Sequence, residues 1–328
     1  MKFTIRALVI NIAAIGLFAC VQARDSAHTN KFRVALLTPG PISDQSWNGG
    51  AYAGLMRIRD SLDAEVSHIQ TKTPAEFEQN FRQYGASGYT LVFGHGFEFQ
   101  DAASRVAPEF PKTMFVTTGG SATGVNQAAM GFSFGQPSFL AGFAAGSVTK
   151  SGIVGCIGGT ELPPVKASFA AFTAGVHAAN PKATILVSYI GNWDDASAGK
   201  EQALAQIGRG TDVIFQNADA AGLGVFQAAK QTHGVFVIGS NADQNSIAPS
   251  VTLGSVLIDL PRAFMIVARE AKSGTFKGRM IQFDTKTDVV RWVPNPSLPN
   301  AIPHDVTVRV DSIRATMRAE RFVMPPPS

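Results

Sequence analysis

Cysteine is nearly absent from this chain, which holds two, Cys20 and Cys156, among 328 residues. So small a number gives no disulfide framework, and Cys156, inside the apolar run "GIVGCIGG", reads as a small core residue. Also missing is any run of Lys and Arg interleaved with aromatics, which makes nucleic acid and the membrane surface poor partners. The formal charge of +4 falls to about +2 once Lys2 and Arg6 leave with the export signal described below. No later segment approaches transmembrane length. The six histidines, at 28, 68, 95, 177, 233 and 304, share no ligand spacing and form no zinc signature. Only His95 falls on a strand end, where it serves either as a hydrogen-bond donor to a ligand or as a loop histidine bonded to backbone.

Motifs for catalysis and cofactors are lacking as well. "GNWDDASAGKE" ends like a phosphate loop, but Gly191 and Gly199 are too far apart and Glu201 stands where Ser or Thr would hold magnesium. "GLGVFQAAK" begins like a dinucleotide fingerprint but has Gln227 at the third glycine position, and reads as a helix start that needs close backbone packing. No G-x-S-x-G elbow is present. In the pair Asp194-Asp195, the second residue precedes "ASAGKEQAL" and reads as a helix N-cap. No cofactor and no metal follow from these residues.

At the amino terminus, Lys2 and Arg6 precede an apolar stretch from Ala7 to Ala19, the form of an export signal. Cleavage after Val21-Gln22-Ala23 would remove residues 1–23. Leu17-Phe18-Ala19-Cys20 alternatively resembles a lipobox, which would remove 1–19 and anchor the protein in the cell envelope through Cys20. A periplasmic or envelope location follows from either.

With 45% hydrophobic and 16% charged residues, the remainder is long enough for two domains with their own cores. Short apolar runs ("FRVALLT", "EVSHIQT", "TLVFGHG", "KTMFVTT") alternate with helical periodicity, and the pattern restarts through "GIVGCIGG", "ATILVSYIG", "TDVIFQNA" and "VFVIGS". Such alternation predicts α/β architecture with parallel sheets covered on both faces. Breaks near Gly135-Gln136-Pro137, Leu253-Gly254-Ser255 and Phe283-Asp284 divide the chain into two discontinuous lobes, 31–135 with 255–283 and 136–254 with 284–328.

In open α/β sheets ligands bind beyond the carboxyl ends of the strands. Those ends are small, polar and punctuated by aromatics, and they mark Asp44, Trp47, Asn48, Gly94, Phe97, Thr118, Trp193, Asp219, Asn241, Asp243 and Asp259 as candidate ligand contacts. Trp47 and Trp193 each follow a strand end and precede a helix, one in each lobe, so two aromatic faces could meet a planar heterocycle across the cleft.

At these residues the chain resembles the basic membrane protein family, the purine nucleoside-binding branch of the type I periplasmic binding proteins of ABC importers. The likeness spans nearly the whole mature chain. It rests on "SDQSWNGGAYAGL" against D-K-S-F-N-x-x-x-x-x-G-L, on "SFLAGFAAG", "FTAGVHAANP" and "YIGNWDDASAGKEQA", and on "DVIFQNADAAGLGVFQAAK" followed by "VIGSNADQ". The resemblance implies two Rossmann-like lobes that close on a purine, aromatics at Trp47 and Trp193 on either side of the base, and delivery by a monomeric receptor to an ABC permease in the membrane. The family's acid and lysine for the ribose are replaced around Asn241 and by Ile258 or Asp259, and its acid for the base edge by Thr117 or Thr118. A free base is therefore favoured over a nucleoside. A nucleoside hydrolase, or a sensor that signals to a membrane partner, are the alternatives to a non-enzymatic receptor.

Overall fold

The computed structural model describes residues 31–325. The export-signal and lipidation readings lie outside the described residues. Among those described, no helix is long and apolar enough to cross a membrane.

In chain order, β1 (Arg33–Thr38), α1 (Trp47–Leu62), β2 (Glu65–Gln70), α2 (Pro74–Ala86), β3 (Leu91–Gly94), α3 (Gln100–Val106), β4 (Met114–Thr118) and β5 (Gln127–Phe132) build most of one lobe. The chain then forms α4 (Gly135–Val148), β6 (Ile153–Gly158), α5 (Pro163–Ala179), β7 (Thr184–Tyr189), α6 (Ala196–Gly208), β8 (Val213–Asn217), α7 (Gly222–Gln231), β9 (Phe236–Asn241) and β10 (Thr252–Ile258). It finishes with α8 (Leu260–Ser273), β11 (Met280–Phe283), β12 (Val290–Pro294) and α9 (His304–Arg318).

Two six-stranded sheets result, ordered β11-β5-β4-β3-β1-β2 and β12-β10-β9-β8-β6-β7. Every pairing is parallel except β10 with β12. Interior strands such as β1, β3 and β8 are apolar on both faces because helices cover both sides. In the first lobe one core lies among α1, α8 and the sheet, centred on Leu36, Leu55, Phe93 and Phe264, and the opposite face packs Phe77, Phe81, Phe99 and Phe115. In the second, Phe139, Phe172, Phe215 and Trp292 fill one face and Ile157, Ile214 and Phe226 the other.

The chain passes between sheets three times: between β5 and α4, between β10 and α8, and between β11 and β12. The second passage departs from the sequence expectation, which gave residues 255–258 to the first lobe. They belong to β10, whose Ser255 to Leu257 pair with Gly239 to Asn241 of β9. Gly254 is no turn residue. A Cβ there would run into the indole of Trp292 on β12, so the glycine makes room for a core tryptophan, and the chain leaves the sheet at Asp259, which caps α8 by accepting from the Arg262 amide.

Candidate ligand-binding cleft

The loop before α1 is organised by Asp44. Its carboxylate, fully buried, accepts from the backbone amides of Ser46, Asn48 and Gly49 at 2.8–2.9 Å and from the Asn48 side-chain amide at 2.8 Å. These are the orphan donors at a helix N-terminus, so a buried acid there is satisfied by geometry and by the helix dipole. One consequence is a fixed exit angle for the next side chain, Trp47.

One face of the Trp47 indole is occupied: the His95 ring stacks on it with centroids 4.0 Å apart and planes at 25°. The Phe132 ring adds an edge contact at 6.1 Å. His95 is itself fully buried, and burial pulls its pKa down to about 3. Its Nε2 lies 2.9 Å from the Trp47 carbonyl and its Nδ1 3.0 Å from the Thr118 hydroxyl. A carbonyl only accepts, so Nε2 carries the proton and Thr118 donates to Nδ1. His95 is thus a loop histidine bonded to backbone, a neutral plate beneath Trp47.

Trp193 reaches the same cleft from the other lobe, after β7. Its ring packs closely against the backbone at Gly159, where a Cβ would run into the six-membered ring, and its carbonyl accepts from the Ala221 amide at 2.9 Å. Each tryptophan is therefore held against protein on one side, Trp47 by the His95 ring and Trp193 by the Gly159 backbone. Both line a single cavity of about 330 Å³, at the small end of the range for ligand pockets.

The other expected residues divide into two groups. Asn48, Phe97, Asp219 and Asn241 line the cavity with the tryptophans. Asp44, Gly94, Thr118, Asp243 and Asp259 do not. Asp44 caps α1. Gly94 is packed between Phe81 and Phe99. Thr118 turns inward to hold His95. Asp243 accepts from the Asn245 amide in a local turn. Asp259 caps α8 and lies 3.7 Å from Arg291. Of the two near-miss motifs, "GLGVFQAAK" is the helix start with close packing, since a Cβ at Gly224 would meet the Ala196 carbonyl. Asp195 caps α6 through the Ala198 amide at 3.0 Å.

Residues not put forward as contacts from the sequence include Glu98, Asn217, Ile258, Met280 and Gln282, all on the cavity wall. Glu98 follows Phe97 at the end of β3, so the strand-end rule could have found it. Met280 and Gln282 sit on β11, a strand that the pattern did not reveal.

Between the lobes, Ser46 donates to Asp219 Oδ1 at 3.1 Å, and within the second lobe the Asn241 amide donates to the same oxygen at 3.3 Å and to Asn217 Oδ1 at 3.2 Å. Gln244 Nε2 donates to the Gln45 carbonyl at 3.0 Å. At the rim, Lys72 and Asp194 approach to 3.6 Å, both well exposed. Burial, and secondarily the nearby Asp44 charge, push the Asp219 carboxyl well above the ordinary carboxylate range. Gln45, Asp219 and Asn241 all adopt positive φ, 53°, 49° and 65°, so backbone strain gathers where the lobes touch.

Two six-stranded, parallel-dominated sheets joined by three crossings, with a cavity between them reached by strand-end residues of each, define the two-lobed fold of the type I periplasmic binding proteins. The family model described as "ABC transporter substrate-binding protein PnrA-like" matches residues 31–312, and the chain belongs to that family. It is similar to "Basic membrane protein A2" of Borrelia garinii subsp. bavariensis, 26% identical with 94% of each chain covered. It is also similar to "ABC transporter nucleoside-binding protein BmpA" of Lactococcus lactis subsp. cremoris, 27% identical over 85% of this chain and 88% of the relative. Among solved structures, an ABC transporter solute-binding protein of Aeropyrum pernix K1 superposes with a TM-score of 0.82 at 21% identity, covering 89% of this chain and 93% of the other. Members of this class bind small molecules outside the cytoplasmic membrane and work with a membrane permease; they are solute-binding proteins rather than enzymes.

Proposed function

We propose that this receptor captures a purine, as the free base in preference to the nucleoside, and hands it to its permease. The observation that carries the reading is the pair of indoles, one from each lobe, each held against protein and both lining one small cavity. A planar heterocycle gains most from such an arrangement, with stacking worth about 1–3 kcal/mol per aromatic.

Preference for the base is supported by what stands where the family holds ribose. The Asn241 amide is engaged by Asn217, Asp219 and Ser46, Ile258 presents an apolar side chain to the cavity, and Asp259 and Asp243 are taken up by a helix cap and a turn. Replacing Asn241 with Asp would not simply restore a ribose acceptor, because it would set a further carboxylate against Asp219. Titration calorimetry with matched pairs of base and nucleoside tests the reading. The bases should bind at least as tightly as their nucleosides; nucleosides that bind ten times more tightly or better would show that the sugar is gripped.

A further inference from the structure

The polar groups of the cavity are unequally committed. Three of its side-chain donors are engaged within the protein: the Asn241 amide as above, Gln282 Nε2 to Ser133 Oγ at 3.0 Å, and the Ser168 hydroxyl to the Val165 carbonyl at 2.7 Å. Among its acceptors, Asp219 Oδ1 and Asn217 Oδ1 are taken up by Ser46 and Asn241, and two others are left without a partner from another residue. Asn48 is 1% exposed and gives its NH₂ to Asp44, which leaves Oδ1 buried with no partner. Glu98, half-buried on the same lobe, has a carboxyl that accepts only from its own backbone amide, and desolvation raises its pKa. No Lys or Arg lines the cavity to answer it.

A carboxylate is an acceptor-only group with two oxygens in one plane, and it pairs best with two adjacent N–H donors. We infer that Glu98 is the specificity-determining residue of this receptor, its carboxylate taking the paired N1–H and 2-amino donors of a guanine-type base. This rests on the purine reading above. Adenine offers a donor beside an acceptor along its edge and would place a ring nitrogen lone pair against Glu98. Hypoxanthine keeps N1–H but has no 2-amino group. Of these three bases only guanine, a 2-amino-6-oxopurine, offers a donor to each oxygen. Buried acceptors left unpaired by the wrong ligand are what make such sites selective.

The test is tryptophan-fluorescence titration of the wild-type protein with guanine, 1-methylguanine, hypoxanthine and adenine, repeated with Glu98→Gln. Guanine should bind at least about tenfold more tightly than each of the other three, as the loss of one charge-assisted hydrogen bond requires. Glu98→Gln should remove most of that advantage while leaving hypoxanthine within about threefold, since an amide oxygen still accepts from N1–H. The ligand series decides the matter even if the variant fails to fold. Equal affinity for guanine, 1-methylguanine and hypoxanthine, tightest binding of adenine, or an equal loss for every base in the variant would overturn the role of Glu98 while leaving a purine receptor. Binding of none of the four would remove the purine reading itself.

Discussion

The side chains that define the cleft act through the plates behind them. Trp193 keeps its ring where it is because residue 159 has no Cβ, and Trp47 keeps its ring on a histidine that burial holds neutral. Trp193→Ala should weaken ligand binding by about 1–3 kcal/mol, roughly 5- to 150-fold, as measured by calorimetry. Gly159→Ala should cost a comparable share by tilting the ring, with the melting temperature little changed; unchanged affinity would mean that the indole does not need that surface. His95 carries a stability prediction with a definite sign. Its folded pKa of about 3 lies below the ordinary histidine value of 6.5, so the unfolded chain takes up the proton first. Its contribution is complete above 6.5 and is lost progressively as pH falls toward 3. Denaturant midpoints should decline through that window, and less steeply in His95→Gln.

At the scale of elements, the strands with β-branched or aromatic runs were legible in the sequence, and so were the helices that follow them. β5, "QAAMGF", was not. It has no β-branched residue, and it becomes a strand because β4 on one side and β11 on the other supply its ladder. β10 was misread because Gly254 resembles a break until Trp292 is seen to fill the space above it. The site was legible in part for the same reason: strand ends reveal which loops face the cleft, but the direction of Asp44, Thr118 or Asp259 depends on hydrogen bonds to a helix terminus or to a distant ring. Helices α4 and α5 illustrate a contact that sequence only hints at. A Cβ at Gly142 would run into the Phe172 carbonyl, and one at Gly175 into the Phe139 carbonyl, so the small residues of "SFLAGFAAG" and "FTAGVHAANP" let two backbones touch. Gly142→Ala should therefore destabilise the fold by about 1–3 kcal/mol despite its gain in helix propensity. Chemical denaturation checks this, and a stabilised variant would contradict the packing account.

Over the whole molecule, the two lobes meet through polar contacts around Asp219, and its raised pKa links closure to pH. The carboxyl is fully compatible with the closed contact when protonated; as pH rises through its elevated folded value it ionises next to Asp44 and the contact weakens. Small-angle scattering without ligand should show a radius of gyration that grows as pH rises above the ordinary carboxylate range, and Asp219→Asn should flatten that response. No change in either protein would mean that the pair does not govern closure. The central claim, that the lobes close two indoles on a flat heterocycle, is tested most directly by a crystal structure of the protein with a bound purine base. The account predicts the ring between the lobes, one face on Trp47 and the other on Trp193, with its N–H edge toward Glu98. A base bound elsewhere, or lying in the cleft without stacking on either tryptophan, would contradict it.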